Sequence, residues 1–239
     1  MMKFFRGFAL AFSMLSIFPF FKVHDFFRGI NGYAVASYPL VGFVLGCFLW
    51  TLHSLLLPYF PQIHLNIIIF AFWVLFTGAL HLDGFCDTID GLFVPKQKAL
   101  EVMKDPHNGG MGMVFGGVFL ILKASSMAFF DAFYLLPFVL MISRYNASLA
   151  IYFYPYISDG MGALAKKEFE IQHLFVVTVV VFLLSLFYGL GLLFAGLLVL
   201  VCFGGFFKKH YGGLNGDMYG FVIEVSELVL LNCVIGFGL

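Results

Sequence analysis

Long apolar runs separated by short polar connections dominate the chain. Crossing a hydrocarbon layer of roughly 30 Å takes about 20 apolar residues in a helix. Seven stretches meet or approach that length: about 33–57, 64–82, 110–130, 134–156, 171–188, 190–207 and 218–238. The fifth and sixth are joined only by the tight "YGLG" at 188–191. An earlier apolar stretch, about 8–21, is short and carries basic residues on both flanks, Lys3 and Arg6 before it and Lys22 and Arg28 after it. Like flanks do not favour opposite membrane faces, so this stretch reads as an interfacial or re-entrant helix. The pattern predicts an all-α, polytopic integral membrane protein, with about seven transmembrane helices plus that N-terminal helix, in a single domain over 1–239.

Composition agrees. The chain is 62% hydrophobic and 11% charged, against about 25% charged residues in soluble domains. Lys plus Arg equal Asp plus Glu at 13 each, so the total charge says nothing about partners; no nucleic-acid partner is expected. Cys47, Cys86, Cys202 and Cys233 are scattered without CxxC or Cys/His spacing, which argues against a disulfide framework or a zinc site. The N-terminal stretch lacks a small-x-small cleavage site. No internal repeat, low-complexity tract or linker interrupts the pattern.

The cations are distributed unevenly. With the first true span running outward from the cytoplasm, the inside segments hold Lys3, Arg6, Lys22, Arg28, Lys96, Lys98, Lys104, Lys166, Lys167, Lys208 and Lys209. The outside loops around 58–63, 131–133 and 188–191 hold none. That split fits the excess of basic residues found in cytoplasmic loops. Lys123 and Arg144 fall within spans.

The acids follow the same plan. "HLDGFCDTIDG", 81–91, ends the second apolar run with Asp83, Asp87 and Asp90. At 100° per residue, Asp87 lies about 40° and Asp90 about 20° from Asp83 around a helix. Asp217, Glu224 and Glu227 fall within about 80° of one another on the seventh span. Stacked like charges weaken a helix, and a charged, unpaired side chain within a span costs on the order of 2.5–3.5 kcal/mol. A divalent cation would offset both by accepting several carboxylate oxygens. A solvated helix end, with Asp83 as a plain cap, is the alternative for the first cluster alone. Two same-faced clusters on one membrane side favour the cation, with Asp83, Asp87, Asp90, Asp217, Glu224 and Glu227 as candidate ligands.

Two further segments carry candidate chemistry. "MKDPHNGGMGM", 103–113, places Lys104 and Asp105 before Gly109, Gly110 and Gly112. Backbone N–H groups of a Gly-rich entry to a helix suit phosphate; an ordinary flexible turn has the same composition. Arg144, in "MISRYNASL", needs a carboxylate or phosphate partner at that depth, so it is either a phosphate ligand or half of an ion pair with a glutamate. Lys123 either pairs with an acid or faces a polar cavity. His81 is a hydrogen-bonded structural residue, a support behind a metal ligand, or a proton acceptor. His53, His64, His173 and His210 read as structural, and the 34 Phe as packing and lipid-facing surface.

These residues carry a resemblance. "TGALHLDGFCDTIDGL" resembles the HxDGxxDxxDG signature of the cobalamin synthase family, the adenosylcobinamide-GDP ribazoletransferases. "MKDPHNGGMG", "SR" at 143–144 and "GGLNGDMYGFVIEVSE" at 212–227 are similar to its further motifs, in the same order, and "YPLVGFVLG" at 38–46 has its look. His107-Asn108 departs from the family's usual basic-then-aliphatic pair. The resemblance implies a membrane transferase that joins adenosylcobinamide-GDP to α-ribazole or its 5′-phosphate, releases GMP and uses one or two Mg²⁺ ions. It implies metal at Asp83, Asp87, Asp90 and Asp217, and nucleotide phosphates near Lys104, Asp105, Gly109, Gly112 and Arg144. Asp90 or Asp217 would take the hydroxyl proton, with His81 alongside. It also implies the bacterial cytoplasmic (inner) membrane, with the active site facing the cytoplasm; oligomeric state is left open. A CDP-alcohol phosphatidyltransferase would show DGxxAR, and "DGFCDT" has no Ala-Arg. A cation- or proton-coupled transporter would show an internal repeat.

The orientation is testable. Cysteines introduced at 96–104, in a background without native cysteines, should escape an impermeant reagent applied to intact cells; labelling there would reverse the topology.

Overall fold

A computed structural model describes residues 2–18, 27–105, 107 and 109–237, without the side chain of Tyr188. Lys22 and Asn108 lie outside the described residues. Eleven α-helices follow in order among those described: α1 (Met2–Leu15), α2 (Ile30–Leu56), α3 (Gln62–Phe76), α4 (Leu80–Leu92), α5 (Lys96–Met103), α6 (Gly110–Ala128), α7 (Leu136–Phe153), α8 (Met161–Glu168), α9 (Ile171–Tyr188), α10 (Leu190–Tyr211) and α11 (Gly216–Phe237). One turn of 3₁₀ helix, Phe133–Leu135, leads into α7. The fold is all-α and built for a bilayer. Five spans are long and apolar enough to cross one, formed by α2, α6, α7 with its leading turn, α10 and α11. The pairs α3–α4 and α8–α9 bring the number to seven if each is one span, bent by 79° and 88°.

The first of those bends corrects the continuous run expected at 64–82. α3 stops at Phe76 and α4 starts at Leu80, because Gly78 (φ 62°) and Ala79 (φ 53°) are both left-handed. Gly78 N donates to Leu75 O at 2.9 Å and Ala79 N to Val74 O at 3.1 Å, the paired bonds by which a left-handed glycine closes a helix. Thr77 Oγ1 adds bonds to Trp73 O and Val74 O at 3.2 and 3.0 Å. The chain then turns, and the acid-rich α4 packs along α11 instead of extending the axis of α3. Ala79 is the one non-glycine residue with positive φ among those described.

α7 is the central element: almost every residue from Leu136 to Ile151 is buried. It packs against α2, α9, α10 and α11. Small residues permit the closest of these crossings. In "GFVLG" of α2, a Cβ on Gly42 would overlap Leu140 O and one on Gly46 would overlap the backbone of Pro137. This is the small-xxx-small device of membrane helices, which lets backbones approach where lipid offers no hydrophobic drive. Polar side chains fasten the same helices: Ser148 Oγ donates to Val35 O at 2.8 Å, and Asn146 Nδ2 to Gly196 O at 2.8 Å and Ser226 Oγ at 2.9 Å. Such bonds contribute roughly 0.6–2 kcal/mol each inside a membrane bundle.

Gly46→Ala should therefore lower the melting temperature in detergent, since overpacking against backbone costs about 1–3 kcal/mol. Gly117→Ala, on the exposed face of α6 with open space around it, should leave it unchanged or raise it. Equal melting temperatures for both variants would contradict the α2–α7 crossing.

Candidate active site

α4 crosses α11 through two more glycines. A Cβ on Gly84 would sit 3.0 Å from Asp217 O, and one on Gly220 would sit 3.0 Å from His81 O. The crossing brings the first turns of the two helices together, Asp83 on α4 and Asp217 on α11. Asp83 is exposed, while Asp87 and Asp217 are half-buried. Asp83 does not cap its own helix: the N-cap position is Ala79, with no side-chain cap. Asn215 is the cap of α11, its Oδ1 accepting from Met218 N at 2.9 Å, while its Nδ2 donates to Asp217 Oδ2 at 2.8 Å. Among the described residues no Lys or Arg forms an ion pair with Asp83, Asp87 or Asp217. Exposed Lys104, at the C-terminal end of α5, is near enough for its charge to act on Asp217.

Asp90 stands apart from these three. Its Oδ2 accepts from Gly109 N at 2.8 Å and its Oδ1 from Gly112 N at 2.7 Å. The carboxylate thereby caps the N-terminus of α6, where a negative charge is favoured by the helix dipole. A Cβ on either glycine would overlap it. The amides of Gly109 and Gly112, expected to meet phosphate, are thus taken by a side chain of the protein. Seven residues restore the helical face but advance roughly 10 Å along the axis, which is why a shared face with Asp83 does not place Asp90 beside it. Asp105 also departs from the expected phosphate contact. Its Oδ1 accepts from His107 N at 3.0 Å and lies 2.8 Å from His107 Nδ1. These bonds, the backbone one first, hold its carboxyl below the usual range, and a carboxylate so charged repels phosphate.

The intramembrane ions form a separate cluster. Lys123 Nζ donates to Glu224 Oε2 at 2.6 Å and also to Glu227 Oε2. Arg144 Nη1 donates to Glu227 Oε1 and, at 2.8 Å, to Ser143 Oγ. The Lys123 ammonium also lies 4.4 Å from the centroid of the Trp73 ring, a cation–π distance. All four charged side chains are buried. Two cations answer two carboxylates, so Glu224 and Glu227 have counter-ions without a metal, and of the two partners open to Arg144, phosphate or glutamate, it takes the glutamate. Glu224 lies seven residues beyond Asp217, which again separates it along the axis. Lys123, left open by the sequence, explains the pair of glutamates.

A cavity of about 280 Å³ opens beside the aspartates, between α1, α2, α4, α7, α8 and α11. Asp83 and Asp217 line it, with His81 and Tyr219. Sequence reasoning did not single out Tyr219; its only signal was a place two residues after Asp217. Among the described residues no three His, Cys, Asp or Glu side chains are already gathered to hold a metal ion.

A family model described as cobalamin-5-phosphate synthase matches residues 7–235. The chain belongs to the cobalamin-5-phosphate synthase family. Proteins named adenosylcobinamide-GDP ribazoletransferase are similar to it. The one from Thermosynechococcus vestitus is 37% identical over 201 residues, covering 81% of this chain and 82% of the relative. That from Desulfitobacterium hafniense is 34% identical over 210 residues, with the same coverage. That from Desulforamulus reducens is 32% identical over 241 residues, covering 93% of both. No solved structure matches. The family match takes in the three aspartates and every residue that lines the cavity.

The ion cluster generates its own test. Arg144→Ala leaves Glu227 short of a counter-ion, and removing one partner of a buried pair costs roughly 3–5 kcal/mol. The variant should express poorly and melt well below the wild type in detergent. Asp83→Asn, which breaks no ion pair, should melt with the wild type; the reverse order would place Arg144 outside the core.

Proposed function

We propose that the chain is an adenosylcobinamide-GDP ribazoletransferase of the bacterial cytoplasmic membrane, with its acid cluster facing the cytoplasm. The observation that carries this reading is the group Asp83, Asp87 and Asp217, carboxylates without ion-pair partners among the described residues, two of which, Asp83 and Asp217, line a cavity. The relatives' shared name supplies the substrates. The concentration of Lys and Arg in alternate loops supports the orientation.

A hydroxyl of α-ribazole, or of its 5′-phosphate, attacks the phosphorus next to the cobinamide. A new P–O bond forms, the bridging P–O bond breaks, and GMP departs with the electron pair. Such transfers depend on positioning and on neutralising charge. Asp217 is better suited than Asp90 to accept the hydroxyl proton, because both Asp90 oxygens already take backbone N–H groups. Asn215 orients Asp217 by donating to its Oδ2. Lys104 answers the negative charge that gathers on the departing phosphate. Asp90, by holding the amides of Gly109 and Gly112, fixes the start of α6 against α4.

The donors suit Mg²⁺. They are hard carboxylate oxygens, and Mg²⁺ is usually held by one or two carboxylates together with substrate phosphates, not by an all-protein cage. A cluster without three gathered ligands fits an ion that arrives with a pyrophosphate. Asp83, Asp87 and Asp217 would hold it. When bound, it would neutralise phosphate charge and polarise the phosphorus under attack.

Purified protein incubated with adenosylcobinamide-GDP, α-ribazole phosphate and Mg²⁺ should release GMP and yield a complete corrinoid by mass spectrometry. Asp83→Asn and Asp87→Asn should each abolish GMP release without lowering the melting temperature. Near-normal turnover of both variants at limiting Mg²⁺ would remove the metal role. Broken spans are also a transporter feature, and solute uptake by proteoliposomes without GMP release would favour that reading.

A further inference from the structure

We propose that a trough between α1, α2 and α9 binds one anionic phospholipid, with an acyl chain along its floor and the headgroup phosphate beside Lys3. Nothing in this depends on the transferase reading. Shape is the first support. Ala36 and Pro39 of α2 and Val177 and Val181 of α9 form a buried floor, with α7 beneath them, while Phe4 of α1 and Val180 of α9 stand exposed along the two rims. About 60 Å³ is left open between them, because Ala36 and Pro39 put little side chain into the space where α1 and α9 flank α2. Every residue lining the trough among those described is apolar, so a water inside would lack the polar partners that hold buried waters. α2 and α7 are apolar enough to span a bilayer, as is α9 when taken with α8, so the open side faces hydrocarbon. An empty trough forfeits dispersion contacts along its walls, and a flexible acyl chain restores them.

Charge is the second support, and it selects the headgroup. α1 carries Lys3 and Arg6 and no acid. Lys3 is the immediate neighbour of the rim residue Phe4 and is exposed. Its ammonium lies 5.9 Å from the centroid of the Phe27 ring, and no carboxylate pairs with it among the described residues. The acids at this end of the bundle are engaged elsewhere. Glu168 Oε2 accepts from Asn31 N and Nδ2 at 3.0 and 2.8 Å, and Glu170 caps α9. Tyr33 and His173, about one turn before Ala36 and Val177, meet edge to face with ring centroids 4.6 Å apart. They close the trough toward the starts of α2 and α9, so a chain enters from below and its headgroup lies at the level of Lys3. Cations at the border of an apolar face draw anionic lipids; a zwitterionic lipid fills the trough equally but gains less from Lys3. Further along α1, Met14 and Leu15 line the cavity beside the acids, so a lipid seated here braces the helix that forms one of its walls.

Native mass spectrometry of the full chain released from detergent, with phosphatidylglycerol and phosphatidylcholine added in equal amounts, tests the site. The wild type should retain one phosphatidylglycerol per chain, about fivefold or more in excess of phosphatidylcholine, the scale of one cation near an anionic headgroup. Lys3→Gln should lower phosphatidylglycerol retention about fivefold and leave phosphatidylcholine unchanged. Val180→Trp, which fills the trough from its exposed rim, should lower retention of both lipids. Leu198→Trp, on the exposed face of α10, should change neither, which separates a site from lipid adhering anywhere on the bundle. Melting temperatures in detergent identify the folded variants; if Val180→Trp does not fold, Lys3→Gln against Leu198→Trp decides. Equal retention of the two lipids by the wild type would overturn the proposal, as would wild-type phosphatidylglycerol retention in folded Lys3→Gln or Val180→Trp. A lipid-free dimer that Val180→Trp dissociates would give the trough to a second copy and overturn it too. GMP release enters none of these readouts, so their failure leaves the transferase reading standing.

Discussion

A neutral quartet of buried charges anchors the fold. Lys123 of α6, Arg144 of α7 and Glu224 and Glu227 of α11 bring two positive and two negative groups together in the core. Each alone would be costly to place there, and their mutual attraction offsets that cost only while all four hold their positions. The quartet therefore ties three helices in one relative placement. Because α11 is one of them, the placement of Asp217, two turns before Glu224, is fixed as well.

Backbone geometry does the rest of the positioning. The two left-handed residues after α3 turn α4 aside, and Gly84 and Gly220 let it lie close on α11. Without the turn, Asp83 and Asp87 would continue along the axis of α3, away from α11. Without the glycines, α4 and α11 would be held further apart. Lipid gives helices no hydrophobic reason to associate, so close packing and interhelical hydrogen bonds must supply the attraction. The glycines at Gly42 and Gly46 play the same part between α2 and α7.

The carboxylates divide by partner. Glu224 and Glu227 are balanced by cations, Asp90 by the amides of Gly109 and Gly112, and Asp105 by His107. Asp83, Asp87 and Asp217 have no ion-pair partner among the described residues, and Asp83 and Asp217 line the cavity. In the proposed reaction, which gathers a pyrophosphate and a cation, these three would supply charges not already spent within the fold.

The sequence by itself determined the membrane class, the seven apolar runs, the family and the residues from which the site is drawn. Hydrophobic run length and helical periodicity are local, and the bilayer imposes them directly. The apolar run gives no sign that α3 ends at Phe76, because it continues through Gly78 to 82 and the break lies in backbone conformation. Tertiary structure alone decided which acids are free. Periodicity states that Asp83 and Asp90, or Asp217 and Glu224, share a face; it is silent on what that face meets at each level of the bundle. Lys123 and Arg144 come from helices far away in the chain, and the Gly109–Gly112 amides from the start of α6. Partner choice is a contact between segments distant in sequence, so the roles of Asp90, Glu224 and Glu227, and the cavity bordered by Tyr219, follow only from the packed bundle.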